Sequence, residues 1–224
     1  MRRLDNGNIE FVLSVPWSKI VSEYNHLVDH AVGEAELPGF RKGKAPRKDV
    51  EARLNKNEVY GKAVEKLLPE IYARQIKELS LKPILQPRIK LDKSGLDQDW
   101  EFTVVTCEAP KIDLPNKYLT SLIKTDKDKR FDWLDKEIMA VIPELLAEEE
   151  ANHRLTVLIE NFTKLGLTTE QYLASKKMTA ETLKAESIAQ ARRDLKMEFA
   201  LEAIRVDNKL TDRKATLDFL TNLV

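Results

Sequence analysis

Cysteine is nearly absent: Cys107 is the single one in 224 residues. That excludes an intrachain disulfide and a thiolate metal cluster, and it fits a reducing compartment. Net charge is missing as well. Basic and acidic side chains, 37 of each, cancel to +0. The molecule as a whole is therefore no polyanion binder, and any nucleic-acid contact must come from a local patch. No apolar run reaches membrane-spanning length, and the opening Met-Arg-Arg-Leu-Asp-Asn-Gly-Asn leads toward a strand rather than an apolar secretory segment. The expected setting is cytoplasmic, with no membrane partner.

Catalytic patterns are missing too. The histidines are His26, His30 and His153. His26 and His30 stand four apart, a spacing that can hold a metal, but no His-Glu-x-x-His pattern accompanies them and the polar face of an amphipathic helix accounts for both. His153 sits beside Glu148, Glu149 and Glu150, which read as a solvated face. Neither Gly-x-x-x-x-Gly-Lys-Ser/Thr nor Gly-x-Gly-x-x-Gly occurs. Ser121 and Ser187 have no base arranged around them. No enzyme activity, metal or cofactor is expected.

What is present is patterned. Ile9, Phe11, Leu13 and Val15 alternate as in a half-buried strand. After Pro16 the period changes: Trp17, Ile20, Val21, Tyr24, Leu27, Val28 and Ala31 mark an amphipathic helix to about residue 36. Pro46 starts a short helix with Val50 and Leu54. A longer helix is expected over 59–79, kinked or divided by Pro69. Strand character returns over 84–91 and again through Trp100, Phe102, Val104 and Thr106, with a turn at Lys93, Ser94 and Gly95. Together these make an α+β domain of about 110 residues, left through prolines between Ala109 and Pro115.

From there the chain reads as all-α. Trp133, Leu134, Ile138, Val141 and Ile142 fit a helix that Pro143 restarts or kinks. Residues 145–165 continue it, and Gly166 is a natural C-cap. Thr168 and Gln171 have capping-box spacing, and Thr179 caps the next helix. A last helix covers about 212–223. The apolar faces either pack as hairpins or line an open groove. Core packing is expected for Met139, Met178 and Met197, with an adaptable binding surface as the alternative.

Residues 39–48 stand apart. Arg41, Lys42, Lys44, Arg47 and Lys48 surround Phe40, Gly39 and Gly43, and residues 39–56 carry seven Lys or Arg against two acids. Gly39 and Gly43 allow tight backbone excursions. Arg41 suits a phosphate or carboxylate, while Lys42 and Lys44 add less directional attraction. Phe40 fits a crevice or a base. Two readings remain level: an exposed docking loop, or a core plug with a solvated basic rim.

Gly39, Phe40, Arg41, Gly43 and Pro46, with Lys42 completing Phe-Arg-Lys, meet the Gly-Phe-Arg-x-Gly-x-x-Pro signature, and the surrounding strand, helix and hairpin order resembles the trigger factor family of ribosome-associated chaperones. More loosely, Ile142 to Leu146, the stretch Gly166 to Leu173 and Ala200 to Ile204 resemble its helical C-terminal domain. The resemblance implies a ribosome-binding α+β domain over 1–112 and a helical substrate-binding domain over 113–224, truncated or compact. About thirty residues separate Leu114 from Pro143, too few for the family's FKBP-type prolyl-isomerase domain, so isomerase activity is not expected. The chain also stops soon after Asp212, as though one arm of the helical body were shortened.

The resemblance implies an ATP-independent chaperone without catalytic, metal or cofactor residues. Gly39, Phe40, Arg41, Lys42, Gly43, Lys44 and Pro46 would dock on the large ribosomal subunit, against ribosomal RNA and protein near the tunnel exit, and the helical body would shield nascent or unfolded polypeptides. The alternatives are a dimeric holdase that works away from the ribosome and a general RNA-binding module.

Overall fold

In the computed structural model, which describes residues 1–223, the chain divides into two compact units. Met1–Arg2 and Ile9–Thr106 form the first. Arg3–Asn8 join the residues from Cys107 onward in the second.

The first unit is α+β. Strand β1 (Arg2–Arg3) lies at one edge of a four-stranded sheet of order β1-β2-β4-β3. Strands β2 (Ile9–Val15), β3 (Arg88–Lys93) and β4 (Trp100–Thr106) pair antiparallel, with Phe11 opposite Val104 and Val104 opposite Ile89. Ile9, Phe11, Leu13, Val15, Phe102 and Val104 bury one face against Ile20, Val64 and Ile71 of the helices. Each such aliphatic side chain contributes about 1.5–3 kcal/mol on full burial. Strand β3 starts after Pro87 rather than at residue 84, because Pro83 and Pro87 lack the N–H a ladder needs.

Helices α1 (Trp17–Glu34), α2 (Arg47–Glu51) and α3 (Lys56–Glu78) complete the unit. A second apolar contact joins Tyr24 and Val28 of α1 to Val59 and Ala63 of α3. The Tyr24 and Tyr60 rings stack at 4.4 Å. Pro69 does not divide α3, which runs through it. Pro69 and Glu65 both face solvent, so water can reach the carbonyl that the missing N–H leaves unbonded.

The second unit is all-α. It contains α4 (Tyr118–Lys124), a 3-10 turn at Lys127–Lys129, and α5 (Arg130–Glu137). Helices α6 (Glu144–Lys164), α7 (Thr169–Lys176), α8 (Ala180–Asp207) and α9 (Arg213–Asn222) follow. The α5 helix stops at Glu137, so the helix expected through Ile142 is not formed. Residues 138–142 are non-helical: β-branched Ile138, Val141 and Ile142 favour extended backbone, and Pro143 disfavours a helical conformation at Ile142. Tyr118, Leu122, Leu134, Ile138, Leu201 and Ile204 form the core, with Leu220 from α9.

Local chemistry sets the helix ends. Gly166, at φ +73°, ends α6 with two bonds, Gly166 N–H to the Thr163 carbonyl at 3.0 Å and Leu167 N–H to the Phe162 carbonyl at 3.0 Å. Thr168 and Gln171 form the capping box of α7, and Thr179 caps α8. The start of α6 is capped from far away in sequence. Its Glu144 amide donates to the Asn6 carbonyl and its Leu145 amide to Asn8 Oδ1, both at 3.0 Å.

One buried charge shapes this unit. Arg130 is 4% exposed and donates to five backbone carbonyls: Leu122 and Thr125 near the end of α4, and Leu220, Thr221 and Leu223 at the end of α9. A guanidinium there satisfies terminal carbonyls and opposes the negative ends of both helix dipoles.

Candidate functional site

The basic loop begins where α1 ends. Ala35 is already extended, and the Phe40 amide donates to the Leu37 carbonyl at 3.0 Å. That bond closes a β-turn with Pro38 second and Gly39 third, at φ +86°, the type II pattern. The Lys44 amide then donates to the Arg41 carbonyl at 2.9 Å, closing a second turn with Gly43 third at φ +71°. The two glycines thus take the same place in consecutive turns. Phe40 closes the first turn and Arg41 opens the second, so the two residues meet at the junction of the turns.

The base of the loop folds back on α1. The Gly43 amide donates to the Ala35 carbonyl at 3.0 Å, and a Cβ at Gly43 would lie 2.7 Å from the Gly33 carbonyl oxygen. Only glycine fits that approach. Ala45 is buried. Pro46 stands at the N-cap of α2, one place before the expected position.

Exposure separates the basic residues into two groups. Phe40 is 44% exposed and outside the core, which removes the core-plug reading. Arg41, Lys42 and Lys44 are exposed and, among the described residues, have no carboxylate partner. Arg47 differs, for it donates to Asp29 Oδ1 and to Asn25 Oδ1, each at 2.6 Å. It fixes α2 to α1 rather than projecting charge. Alongside it the Tyr24 hydroxyl donates to Glu51 at 2.8 Å. Burial, and then that carboxylate, push the Tyr24 hydroxyl up to about 12.

Sequence reasoning did not single out Tyr24, Asn25, Asp29 or Glu51 as supports of the loop. No local spacing links them to Arg47, because the link is tertiary. It also left Arg53 and Lys56 outside the site, although both are exposed and extend the cationic surface beyond α2. Pro38 was available as a signal, since Pro-Gly before Phe40 is type II turn chemistry.

The second unit offers apolar rather than cationic surface. On α6 and just after it, Val157, Ile159, Leu165 and Leu167 are exposed. Phe162 and Tyr172 pack at 4.2 Å across the turn into α7. Of Met139, Met178 and Met197, Met139 is exposed, at 75%, rather than packed in the core, whereas Met197 packs against the core and Met178 is half-buried. Among the described residues no cluster of three or more His, Cys, Asp or Glu side chains is placed to hold a metal, and no helix is long and apolar enough to cross a membrane.

Fold and loop define a two-part protein, an α+β unit bearing an exposed aromatic-cationic loop and an all-helical unit. Two family models match the chain in overlapping segments. The model described as "Bacterial trigger factor protein (TF)" matches residues 1–145, and that for the "Bacterial trigger factor protein (TF) C-terminus" matches residues 113–217. The chain belongs to the trigger factor family.

Curated relatives include the trigger factor of Natranaerobius thermophilus, 30% identical over 112 residues, which are 50% of this chain and 25% of that protein. The Ligilactobacillus salivarius trigger factor is 28% identical over 163 residues, 70% of this chain and 36% of that protein. The chain thus spans a quarter to about a third of the length of these relatives. A solved structure concerned with promiscuous substrate recognition in folding and assembly activities of the trigger factor chaperone gives a TM-score of 0.39 at 19% identity, over 60% of this chain and 32% of that one. The two family matches overlap over residues 113–145, so no FKBP-type isomerase domain stands between them.

Proposed function

We propose that this chain is an ATP-independent chaperone that docks near the ribosomal tunnel exit and shields emerging or unfolded polypeptides. The observation that carries this reading is the exposed Phe40 held among Arg41, Lys42 and Lys44, none of which has a carboxylate partner among the described residues. A core residue would gain by burial, yet this ring is held out in water by two turns. Gly39, Gly43 and Pro46 shape the loop. Arg41, Lys42 and Lys44 meet RNA phosphates or acidic protein side chains, and Phe40 adds the apolar contact. Docking of this kind is fast, reversible and weakened by salt.

In this reading the α+β region, about residues 1–112, is the docking domain and the helical region from 113 receives clients. The exposed Val157, Ile159, Leu165 and Leu167 supply apolar surface open to solvent, which suits weak contacts released without nucleotide hydrolysis. The test is co-sedimentation with ribosomes. Replacing Phe40, Arg41 and Lys42 by alanine abolishes it while helicity by circular dichroism stays intact. Unchanged co-sedimentation overturns the docking role.

A further inference from the structure

We propose that residues 138–142 form a docking edge for an extended peptide that alternates acidic and apolar side chains. The segment has the alternation of a strand without belonging to a sheet. Ile138 and Ile142 are 1% and 4% exposed, whereas Met139 and Val141 are 75% and 60% exposed. Both flanks are extended, with ψ of 122° at Ile138 and 132° at Pro143. A single antiparallel bridge, Asp113 to Met139, joins it to neighbouring chain. Beyond that bridge the amides of Met139, Ala140, Val141 and Ile142 make no hydrogen bond among the described residues.

The contrast with β3 is instructive. Proteins protect open strand edges with lysine, proline or bulges. Strand β3 carries Arg88, Lys90 and Lys93 and has a register shift between Leu91 and Lys93. Residues 139–142 have neither charge nor proline. An unprotected edge with unpaired amides and two exposed apolar side chains is suited to accept another strand.

Charge selects the kind of strand. The segment borders an open cavity of about 470 Å³ whose charged lining is Lys111, Lys136, Lys196 and Asp113. Lys196 is held by Asp135, with Nζ 3.4 Å from its carboxylate and a further bond to its backbone carbonyl. Lys111 and Lys136 are exposed and unpaired among the described residues. Three ammonium groups against the carboxylates of Asp113 and Asp135 leave the rim positive. A simple anion would not use Met139 and Val141, and a helix would not use the free amides. An extended strand uses both, with apolar residues on Met139 and Val141 and carboxylates toward Lys111 and Lys136.

This edge is independent of the basic loop and gives the polypeptide-binding reading of the helical unit a definite sequence preference, on which its biological meaning rests. The test uses the full chain and fluorescein-labelled Glu-Val-Glu-Val-Glu-Leu, read by fluorescence anisotropy. Saturable binding is expected, weakened about tenfold or more in Lys111→Glu/Lys136→Glu. Lysine in place of glutamate, or methylation of alternate peptide amides, produces a similar loss. Equal binding of acidic and lysine peptides, or of methylated and unmethylated ones, overturns the proposal. So does displacement by inorganic phosphate at constant ionic strength, which marks a plain anion site, or a concentration-dependent dimer that the double substitution dissolves without peptide ever binding. The double variant keeps its circular dichroism and its ribosome co-sedimentation, so failure here is distinct from failure of ribosome docking.

Discussion

The basic loop of the first unit and the arginines of the second treat positive charge in opposite ways. On the loop, Arg41, Lys42 and Lys44 face water without a carboxylate partner among the described residues. In the second, Arg130 lies buried among five carbonyls, and Arg154, Arg205 and Arg213 each bond a carboxylate. Residue type is the same and the role differs, because the neighbourhood decides whether a guanidinium can reach an external anion. Arg47 marks the boundary: it lies beside the loop in sequence, but Asp29 and Asn25 hold it.

The strongest way to break this comparison is the loop triple substitution, Phe40, Arg41 and Lys42 to alanine. It is expected to remove ribosome co-sedimentation and to leave the urea midpoint nearly unchanged. Arg130→Met should do the reverse. Leaving buried carbonyls unbonded destabilises the second unit by about 3 kcal/mol in urea unfolding, with the loop's binding untouched. An Arg130→Met variant as stable as the parent would mean that these carbonyls find other partners.

Within the loop, the glycines differ in kind. Gly43→Ala meets both positive φ and the Gly33 carbonyl, and is expected to lose about 1–3 kcal/mol and to weaken ribosome binding. Gly39→Ala has open space around its Cβ and meets only the backbone strain, about 1 kcal/mol. Equal effects would show that the approach to Gly33 is not what closes the loop.

One tyrosine in each unit makes a pH comparison possible. Burial first, and then the Glu51 carboxylate, push the Tyr24 hydroxyl from 10.0 up to about 12. Burial also pushes Tyr118 up to about 12, with a bond from Asn208 opposing it and the Asp207 carboxylate adding to it. A raised value means that the folded state holds the proton more tightly than the unfolded one. This contribution is therefore complete below about pH 10 and lost as pH rises toward about 12. Tyr24→Phe and Tyr118→Phe should each flatten that loss in alkaline unfolding of its own unit.

The smallest expected effect is at Lys177, which takes φ +53° after α7, where glycine is strain-free. Lys177→Gly should raise stability by up to about 1 kcal/mol by thermal unfolding.

Legibility in the sequence followed the range of the interactions. The alternation of β2 and β4, the Gly166 end of α6 and the capping box at Thr168 were readable because a few adjacent residues determine each. The extended segment after α5 was not. Ile138, Val141 and Ile142 satisfy helical spacing, while Ile138, Ala140 and Ile142 satisfy strand spacing, and only the β-branching and Pro143 favour the latter. At Pro69 a kink or a division stood open, and the helix is not divided because the freed Glu65 carbonyl lies where water can reach it. At the loop, the signature named the exposed residues, but exposure itself and the Arg47 clasp required the fold.

The paired turns have a consequence for tolerance of change. Each turn occupies four residues, and the second glycine is pinned to the end of α1. Exchanging one cation for another keeps that geometry, whereas one residue inserted between the glycines would break the pairing of the turns. The loop should therefore forgive edits to its letters and refuse edits to its length. A helix end offering equivalent carbonyls and a clasp for Arg47 could receive it as a graft.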